Sequence, residues 1–382
     1  MQLRNFVRRH KWRLRPLKRV VLPLRNLKRA AVEVLRTPPR VKSSSEYAGP
    51  SLIARREIHP AESVTSLTSG SPPAFSEPAW IFELRDIDFW GRYGGSVLTK
   101  DNFLLSDLSP DVWGTQNHPI FSRLSLPKKR SLGGRTAIAV TPEAPGNYYH
   151  WLIDLLPRIA ALRTHGDLES FDRLLINGSG APYEKSTLKA LRVPPNKIMY
   201  VDASDRFQIE KATITSMDHA SKVVAPWKIK TLGRLRDSLP GAEGAGARRL
   251  YVSRKHAAVR RVENEPEFEN LLRDQGFTSV APESHPWADQ VRMFANAEVV
   301  LAPHGAALAN IAFCKPGTLI AEINTTAGYR DFFLQLAAAA SLRYRLLEAQ
   351  PRVAGSTTSL RAVENEDMIV DLDTLREFLR SL

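Results

Sequence analysis

The stretch Ala297–Ile323, AEVVLAPHGAALANIAFCKPGTLIAEI, has the pattern of a strand, a turn, a helix and a second strand. Glu298–Ala302 and Leu319–Ile323 are short apolar runs, which predict buried strands. Gly305–Phe313 predicts a helix directly after the first strand, and its small residues leave backbone N–H groups open to a phosphate. A tight turn packed on a sheet explains the same small residues equally well.

Strand and helix signals alternate on both sides of this stretch. Asn264 predicts the N-cap of a helix, Glu267 completes a capping box with it, and Gly276 ends the helix. The alternation is typical of a doubly wound α/β fold, whose ligands bind beyond the carboxyl ends of the strands. We therefore predict a Rossmann-like domain over 248–350, followed by a segment over 351–382 with a terminal helix. Further strands are predicted at Arg249–Ser253, Phe277–Ala281 and Tyr344–Leu347, and further helices at 286–296 and 330–341.

A second α/β pattern precedes it. Residues 79–108 alternate apolar and polar side chains around the turn pair Gly94-Gly95, which predicts a small β-meander. The strands and helices after it predict a parallel sheet covered on both faces, in a domain over 79–238. The tract Leu239–Ala247, LPGAEGAGA, is the expected domain boundary. The strands are predicted at Thr136–Val140, Leu174–Asn177 and Ile198–Val201, and the helices at 147–164 and 183–192.

Almost all of the net charge lies near the N-terminus. The chain of 382 residues has 54 Lys and Arg against 40 Asp and Glu, a net charge of +14. Residues 1–42 hold fourteen of the basic residues and one acid, so this arm carries +13 and the other 340 residues carry +1. A neutral body excludes a protein coated in positive potential, such as a histone-like packager.

The arm over 1–42 has the pattern of a basic amphipathic segment. Apolar residues recur every three or four positions from Leu14, and Pro16 and Pro23 restrict the predicted helix to Leu24–Arg36. Such a helix suits an anionic membrane surface, where each Lys or Arg contributes about 1 kcal/mol. A solvated tail and a nucleic-acid contact are the alternatives, and no specific nucleic acid is expected.

The remaining composition is that of an ordinary soluble fold. Residues 43–78, rich in Ser and Pro, predict a flexible linker. Cys314 is the only cysteine, which excludes an intrachain disulfide and fits a reducing compartment. No stretch approaches the roughly 18–20 apolar residues that span a bilayer, and no apolar region follows the basic start as in a signal peptide. We therefore expect a cytoplasmic protein, peripheral at the inner face of the cell membrane.

The stretch Asn147–Ile159, NYYHWLIDLLPRI, contains the residue types of a general base. On a helix, His150, Asp154 and Arg158 recur at i, i+4 and i+8, which places them on roughly one face. A carboxylate one turn from a histidine fixes its tautomer and raises its basicity. An ordinary row of ionic side chains on an exposed helix is the alternative, against which the neighbouring aromatic residues argue.

Cations also follow a predicted strand. Arg254 and Lys255 come directly after Arg249–Ser253, where they suit a diphosphate or form a solvated basic loop. His304 has the chemistry to donate to a phosphate oxygen or a backbone carbonyl, and Glu322 to accept from ribose hydroxyls or to cap a turn. The histidines show neither HExxH nor a paired Cys/His spacing, so no metal site is expected.

Together these stretches resemble family 61 glycosyltransferases, which include bacterial capsular-polysaccharide enzymes and plant cell-wall xylosyltransferases. The resemblance rests on NYYHWLIDLLPRI, on RLYVSRK (Arg249–Lys255) and on Ala297–Ile323, and it covers roughly residues 80–350. It implies an α/β, GT-B-like fold with two Rossmann-like domains facing a cleft, here with the basic amphipathic N-terminal arm in addition.

The resemblance also implies the roles of individual residues. His150 and Asp154 become the catalytic residues, either one being the base. No cofactor is implied, because the nucleotide sugar is a substrate. The donor-binding residues are Ser253, Arg254, Lys255, His304, Gly305, Ala306, Asn310 and Glu322, and the acceptor-side residues are Asn147, Tyr149 and Arg158.

The expected function is an inverting transfer of a sugar from a nucleotide-sugar donor to a glycan or lipid-linked glycan acceptor. Bacterial capsular or exopolysaccharide biosynthesis at the cytoplasmic membrane face is the expected setting. A non-enzymatic scaffold that binds membrane or nucleic acid through the arm is the alternative. A nicotinamide-dependent oxidoreductase is disfavoured, because it needs a glycine-rich first turn and an acid about twenty residues further on.

Overall fold

The computed structural model describes residues 38–64, 74–92, 94–109, 118–166, 168–217, 224–241, 246–325, 330–352 and 365–382. These residues form two compact units. Unit 1 is drawn from Met1–Glu62 and Glu77–Ser221, and unit 2 from Ser63–Ser76 and Lys222–Leu382. The predicted helix Leu24–Arg36 lies outside the described residues, so the amphipathic arm stays a prediction.

Strands and helices alternate along most of the described chain, which confirms the expected α/β class. None of these helices is long and apolar enough to cross a membrane. The strands are β1 (Arg40–Lys42), β2 (Leu52–His59), β3 (Ser63–Val64), β4 (Ala74–Phe75), β5 (Ala79–Trp90), β6 (Ser96–Leu98), β7 (Phe103–Leu105), β8 (Arg130–Ala139), β9 (Arg173–Ile176), β10 (Ile198–Tyr200), β11 (Arg206–Thr215), β12 (Arg249–Val252), β13 (Phe277–Val280), β14 (Val299–Pro303), β15 (Leu319–Asn324), β16 (Arg343–Glu348), β17 (Gln350–Pro351) and β18 (Met368–Ile369). The α-helices are α1 (Leu156–His165), α2 (Pro182–Ala190), α3 (Pro226–Asp237), α4 (Glu265–Asp274), α5 (Trp287–Asn296), α6 (Phe332–Ala339) and α7 (Leu372–Arg380).

Unit 1 is built on a nine-stranded sheet in the order β1-β7-β6-β5-β11-β8-β9-β10, with β2 paired to β5. β11, β8, β9 and β10 are parallel neighbours, while β5 runs antiparallel to β2, β6 and β11. The meander predicted over 79–108 is therefore one side of a larger mixed sheet. Its inward side chains, among them Leu84 and Phe89, share a core with Ile138 and Leu175 of the parallel side.

Part of the predicted linker over 43–78 belongs to this sheet. β2 pairs antiparallel with β5, so the prediction of a flexible linker is wrong for Leu52–His59. β1, within the predicted arm, pairs in parallel with β7, so Arg40–Lys42 are not part of a free arm. Five of the eight residues of β2 are exposed, and backbone pairing rather than apolar content keeps the strand in place. The sequence of β2 therefore resembles that of a polar connecting segment rather than that of a strand.

Unit 2 is built on a five-stranded sheet in the order β13-β12-β14-β15-β16, in which all neighbours are parallel. The chain leaves β12 for β13 on one side and returns to β14 on the other, so the strand order reverses between β12 and β14. In doubly wound sheets, ligands bind beyond the carboxyl ends of the strands at such a switch point. Ser253-Arg254 follow β12 at this edge, and His304-Gly305 follow β14.

Two predicted helix details in unit 2 are wrong. Asn264 precedes α4, but its side chain exchanges hydrogen bonds of 2.8 and 3.1 Å with the backbone of Val370, so no capping box with Glu267 forms. Ala306–Phe313 wind as a 3₁₀ helix rather than an α-helix. This segment is packed against α3, α5 and α6, and its small side chains permit the tighter winding.

Candidate functional site

The first candidate site lies in unit 1 and consists of Glu143, His150 and Asp154, which we call the histidine cluster. His150 Nδ1 lies 2.7 Å from Asp154 Oδ2, and His150 Nε2 lies 3.5 Å from Glu143 Oε2. Burial alone lowers the pKa of His150, but hydrogen bonding to Asp154 and Glu143 and their charges outweigh burial and raise this pKa to about 9. The imidazole is therefore a cation at neutral pH.

The backbone that carries this histidine is a π-helix, His150–Leu155, which continues as α1. Pro157, in the first turn of α1, has no N–H, and its ring crowds the carbonyl of Ile153 four residues earlier. The N–H of Leu156 bonds to the carbonyl of Trp151, five residues back. π turns of this kind occur frequently at functional sites.

Arg158 is buried and is not a member of the histidine cluster. It is 2% exposed, and its Nε and Nη2 donate to the side chain and the carbonyl of Thr215 at 2.8 and 3.0 Å. Its Nη1 donates to the carbonyl of Val140. The wider π turn rotates the later residues, so the i+8 position no longer shares the face of His150. The guanidinium ties the ends of β8 and β11 together, and the acceptor-side role of Arg158 stays a prediction.

Aromatic side chains border the histidine cluster. The rings of Tyr149 and His150 meet edge-on at 5.4 Å, and the side chain of Asn147 accepts from the Tyr149 N–H at 3.1 Å. Tyr148 and Tyr183, both half-buried, meet with ring centroids 5.0 Å apart. Aromatic surface therefore lies beside the charged groups of the histidine cluster.

Glu143 is a member of the cluster that the sequence analysis missed. It lies in the turn after β8 with a φ of +63°, in the left-handed region that residues other than Gly rarely adopt. No helical or strand period connects it to His150. The available signal was the run of turn residues PEAPGN (142–147) directly beyond the carboxyl end of a parallel strand.

The second candidate site lies at the switch point of unit 2 and consists of Arg254, His304, Gly305 and Glu322, which we call the arginine cluster. Gly305 leaves room for the guanidinium, because a Cβ at this position would overlap Arg254 Nη1. Arg254 Nη2 donates to the carbonyl of Val259 at 3.0 Å. Its Nε is buried and has no hydrogen-bond partner among the described residues.

Among the residues that the structure describes, no carboxylate forms an ion pair with Arg254. Burial, and then the charge of Arg260, lower the pKa of Arg254 to about 10, so the guanidinium remains charged at neutral pH. A buried donor without a partner costs about 1–3 kcal/mol. Ala306, half-buried, opens the 3₁₀ helix beside Gly305. An anion bound at this position would satisfy the orphaned Nε.

A buried carboxylate holds His304 in place. His304 Nδ1 lies 2.5 Å from Glu322 Oε1, and Glu322 Oε2 accepts from the hydroxyl of Tyr344 at 2.6 Å. Glu322 is 0% exposed and also accepts from Asn324 at 3.2 Å. The carboxylate of Glu322 thus faces protein groups, and its place near the nucleoside stays a prediction. The ring of Phe333 meets that of His304 at 5.0 Å.

The other residues predicted to bind the donor have different surroundings. The buried Ser253 donates to Glu265 at 2.7 Å, and the fully buried Asn310 donates to Gln290 at 3.2 Å. Both side chains tie elements of unit 2 together, and their role in donor binding stays a prediction. Lys255 is exposed next to Arg254. The structure thus brings together Arg254, His304 and Gly305 at one edge, with Lys255 at the rim.

The comparison with known families covers residues of both clusters. The model of the family Glycosyltransferase 61 matches residues 148–321, from two residues before His150 to the residue before Glu322. These residues of the chain form a glycosyltransferase family 61 domain. The resemblance noted in the sequence is confirmed, and with it the prediction that the protein is a glycosyltransferase. No curated protein is significantly similar to the chain.

The chemistry of a glycosyltransferase needs a base for the acceptor and a positive group for the leaving diphosphate. The histidine cluster of unit 1 contains residue types that can act as the base. The arginine cluster of unit 2 contains the positive group. Within the described ranges, no group of three or more His, Cys, Asp or Glu could hold a metal ion.

Proposed function

We propose that this glycosyltransferase is an inverting enzyme that moves a sugar from a nucleotide-sugar donor to a glycan acceptor. The observation that carries the proposal is Arg254 at the switch point of unit 2, with a buried Nε that lacks a partner and with Gly305 packed against its guanidinium. A leaving nucleoside diphosphate gains negative charge, and a preorganised guanidinium stabilises that charge.

In the proposed donor complex, the diphosphate binds Arg254 and His304. Glu322 engages Nδ1 of His304, which leaves Nε2 as the nitrogen that can reach a phosphate oxygen. Lys255 adds positive charge at the rim. The absence of a side chain at Gly305 is what permits the guanidinium to lie over the backbone here.

The transfer is a single displacement. The acceptor hydroxyl oxygen bonds to the anomeric carbon while the bond from that carbon to the diphosphate oxygen breaks, and the configuration inverts. The diphosphate leaves with the electron pair, and the hydroxyl proton passes to a base of the histidine cluster. The transition state resembles an oxocarbenium ion. A positioned base contributes about 10²–10⁴-fold to the rate.

The acceptor side is proposed to lie in unit 1. Tyr148 and Tyr183 supply aromatic surface for a sugar ring, and Tyr149, tied to Asn147, borders His150. The GT-B-like division of labour, with donor binding in unit 2 and acceptor binding in unit 1, is part of the same proposal.

The setting of the reaction is proposed from the charge of the arm. Residues 1–42 carry +13, which favours peripheral attachment to an anionic membrane at the cytoplasmic face, where a lipid-linked glycan is within reach. Capsular or exopolysaccharide biosynthesis in a bacterium fits that location. Deletion of residues 1–37, which keeps β1 in the sheet, should abolish salt-sensitive flotation with anionic vesicles and leave transfer to a soluble acceptor intact. Loss of transfer to a soluble acceptor would contradict a role of the arm in membrane attachment alone.

The donor site is tested by thermal stabilisation of the purified protein with a panel of nucleotide sugars and nucleoside diphosphates. A ligand at 100 times its Kd stabilises a protein by about 2.7 kcal/mol. Arg254→Ala should abolish the shift. Arg249→Ala, at the opposite end of β12, is the matched control and should keep it. A wild-type protein that no donor stabilises, or an unchanged shift in Arg254→Ala, would contradict the proposal.

A further inference from the structure

Both ring nitrogens of His150 are engaged by carboxylates. Nδ1 lies 2.7 Å from Asp154 Oδ2, and Nε2 lies 3.5 Å from Glu143 Oε2. A base must offer a lone pair to the hydroxyl proton, and an imidazole held between two carboxylates carries protons on both nitrogens. The raised pKa of His150 agrees with this geometry. The base of the transfer is therefore one of the two carboxylates.

The two carboxylates differ in how they are held. Asp154 makes the short contact to His150 from within the helix, and its side chain is 30% exposed. Glu143 makes the longer contact from a turn, and its side chain is 56% exposed. An acceptor arriving from solvent meets the more exposed carboxylate first, while the short contact of Asp154 fixes the imidazolium.

The turn that carries Glu143 is anchored on both sides. Asn177 binds the N–H and the carbonyl of Thr141 at 2.9 and 2.7 Å, and Pro142 packs closely on Gly94. Glu143 follows with its left-handed φ of +63°. Backbone strain of this kind costs of order 1–3 kcal/mol, and it persists only where the surroundings hold it. The turn therefore holds the backbone of Glu143 in one conformation beyond the carboxyl end of β8.

We propose that Glu143 is the general base that accepts the proton of the acceptor hydroxyl. This inference rests on the proposed function. The proton moves from the hydroxyl oxygen to the Glu143 carboxylate as the new bond to the anomeric carbon forms, and Glu143 returns it to solvent after the product leaves. His150 is a positioning residue that holds Glu143 by its charge. Asp154 is a positioning residue that holds His150.

The test compares Glu143→Gln with two variants in purified full-length protein. Nucleoside diphosphate release from the donor that gives the largest thermal shift is measured against a panel of oligosaccharide acceptors. Glu143→Gln should lower kcat by about 10²–10⁴-fold, as expected for the loss of a general base. Its donor-induced thermal shift should stay that of the wild type. Glu143→Asp, which retains a carboxylate, should keep more activity than Glu143→Gln. Glu83→Gln, an exposed glutamate on β5, is the matched control and should behave as the wild type.

The pH profile separates a base from a residue that only supports the fold. In the wild type and in Glu83→Gln, kcat/KM should decrease at low pH as the base becomes protonated, which gives the profile an acidic limb. This acidic limb should be absent in Glu143→Gln. A Glu143→Gln variant with wild-type kcat, or one that keeps the acidic limb, would overturn the assignment. If Asp154→Asn alone lost the limb, Asp154 would be the base. A wild-type protein that transfers to no acceptor would instead contradict the proposed function, and this failure is distinguishable because it precedes any substitution.

Discussion

Gly305→Ala tests the arginine cluster without removing any charged group. The added Cβ would overlap Arg254 Nη1 and would lie 2.8 Å from Cζ and 3.4 Å from Nε. The φ of Gly305 is 177°, an extended backbone that alanine adopts without strain. The substitution therefore displaces the guanidinium and leaves the backbone unchanged.

The expected magnitude follows from the contacts that Arg254 makes with a diphosphate. A hydrogen bond to a charged group contributes about 1.5–3 kcal/mol, and each 1.4 kcal/mol changes Kd about tenfold. Displacement of the guanidinium should therefore raise the Kd for a nucleoside diphosphate about 10–150-fold.

Isothermal titration calorimetry with the nucleoside diphosphate chosen by thermal shift gives this Kd directly. Gly233→Ala, in the open part of α3, is the matched control, because its added Cβ meets no atom closer than 4.0 Å. In an Arg254→Ala background, Gly305→Ala should weaken binding no further, since the two substitutions remove the same interaction. Wild-type affinity in Gly305→Ala, or full additivity in the double variant, would refute the reasoning.

Three further predictions concern single side chains. Glu322→Gln should raise the Kd for the same nucleoside diphosphate about 3–10-fold by calorimetry, because His304 Nδ1 loses a charged partner; an unchanged Kd would exclude His304 as a ligand. The pKa of His150 is raised from 6.5 to about 9, so its partners stabilise the fold fully below pH 6.5, and this stability is lost as pH rises through 9. Urea unfolding should show that loss in the wild type and not in His150→Gln. Tyr183→Ala should raise the acceptor KM about 2–10-fold, as the loss of an aromatic contact implies, whereas Tyr183→Phe keeps the ring and should stay near the wild type; equal KM values would contradict an aromatic acceptor site.

The parallel strands of unit 2 were predictable from the sequence. Strands that are buried on both faces consist almost entirely of apolar residues, so they are visible as short apolar runs. All five residues of β14 and all six of β15 are buried. The edge of the sheet at which Arg254 and His304 lie was predictable for the same reason, since both residues come directly after such runs.

Strands with irregular or exposed faces were not predictable. β11 was missed because a bulge between Ile209 and Lys211 shifts its alternation, so that Phe207 and Ile209 face the core before it and Ala212 and Ile214 after it. β2 was taken for linker because its pairing with β5 places most of its side chains in solvent.

The members of each cluster were predictable only where a period or a motif connected them. The i, i+4 spacing indicated the contact between His150 and Asp154. The π turn before Pro157, which moves Arg158 away from their face of the helix, could not be predicted from the spacing of the residues. Glu143 reaches His150 through a left-handed turn, which only the folded backbone reveals. The burial of Glu322 likewise follows from strand β15 as a whole, and it places the carboxylate against His304.

A crystal structure of the protein with a bound nucleoside diphosphate tests the central claim most directly. We predict that the diphosphate lies beyond the carboxyl ends of β12 and β14. One phosphate oxygen should lie within hydrogen-bond distance of Arg254 Nε, and a second phosphate oxygen should lie near His304 Nε2. A diphosphate bound elsewhere in the protein, with Arg254 Nε still lacking a partner, would contradict it.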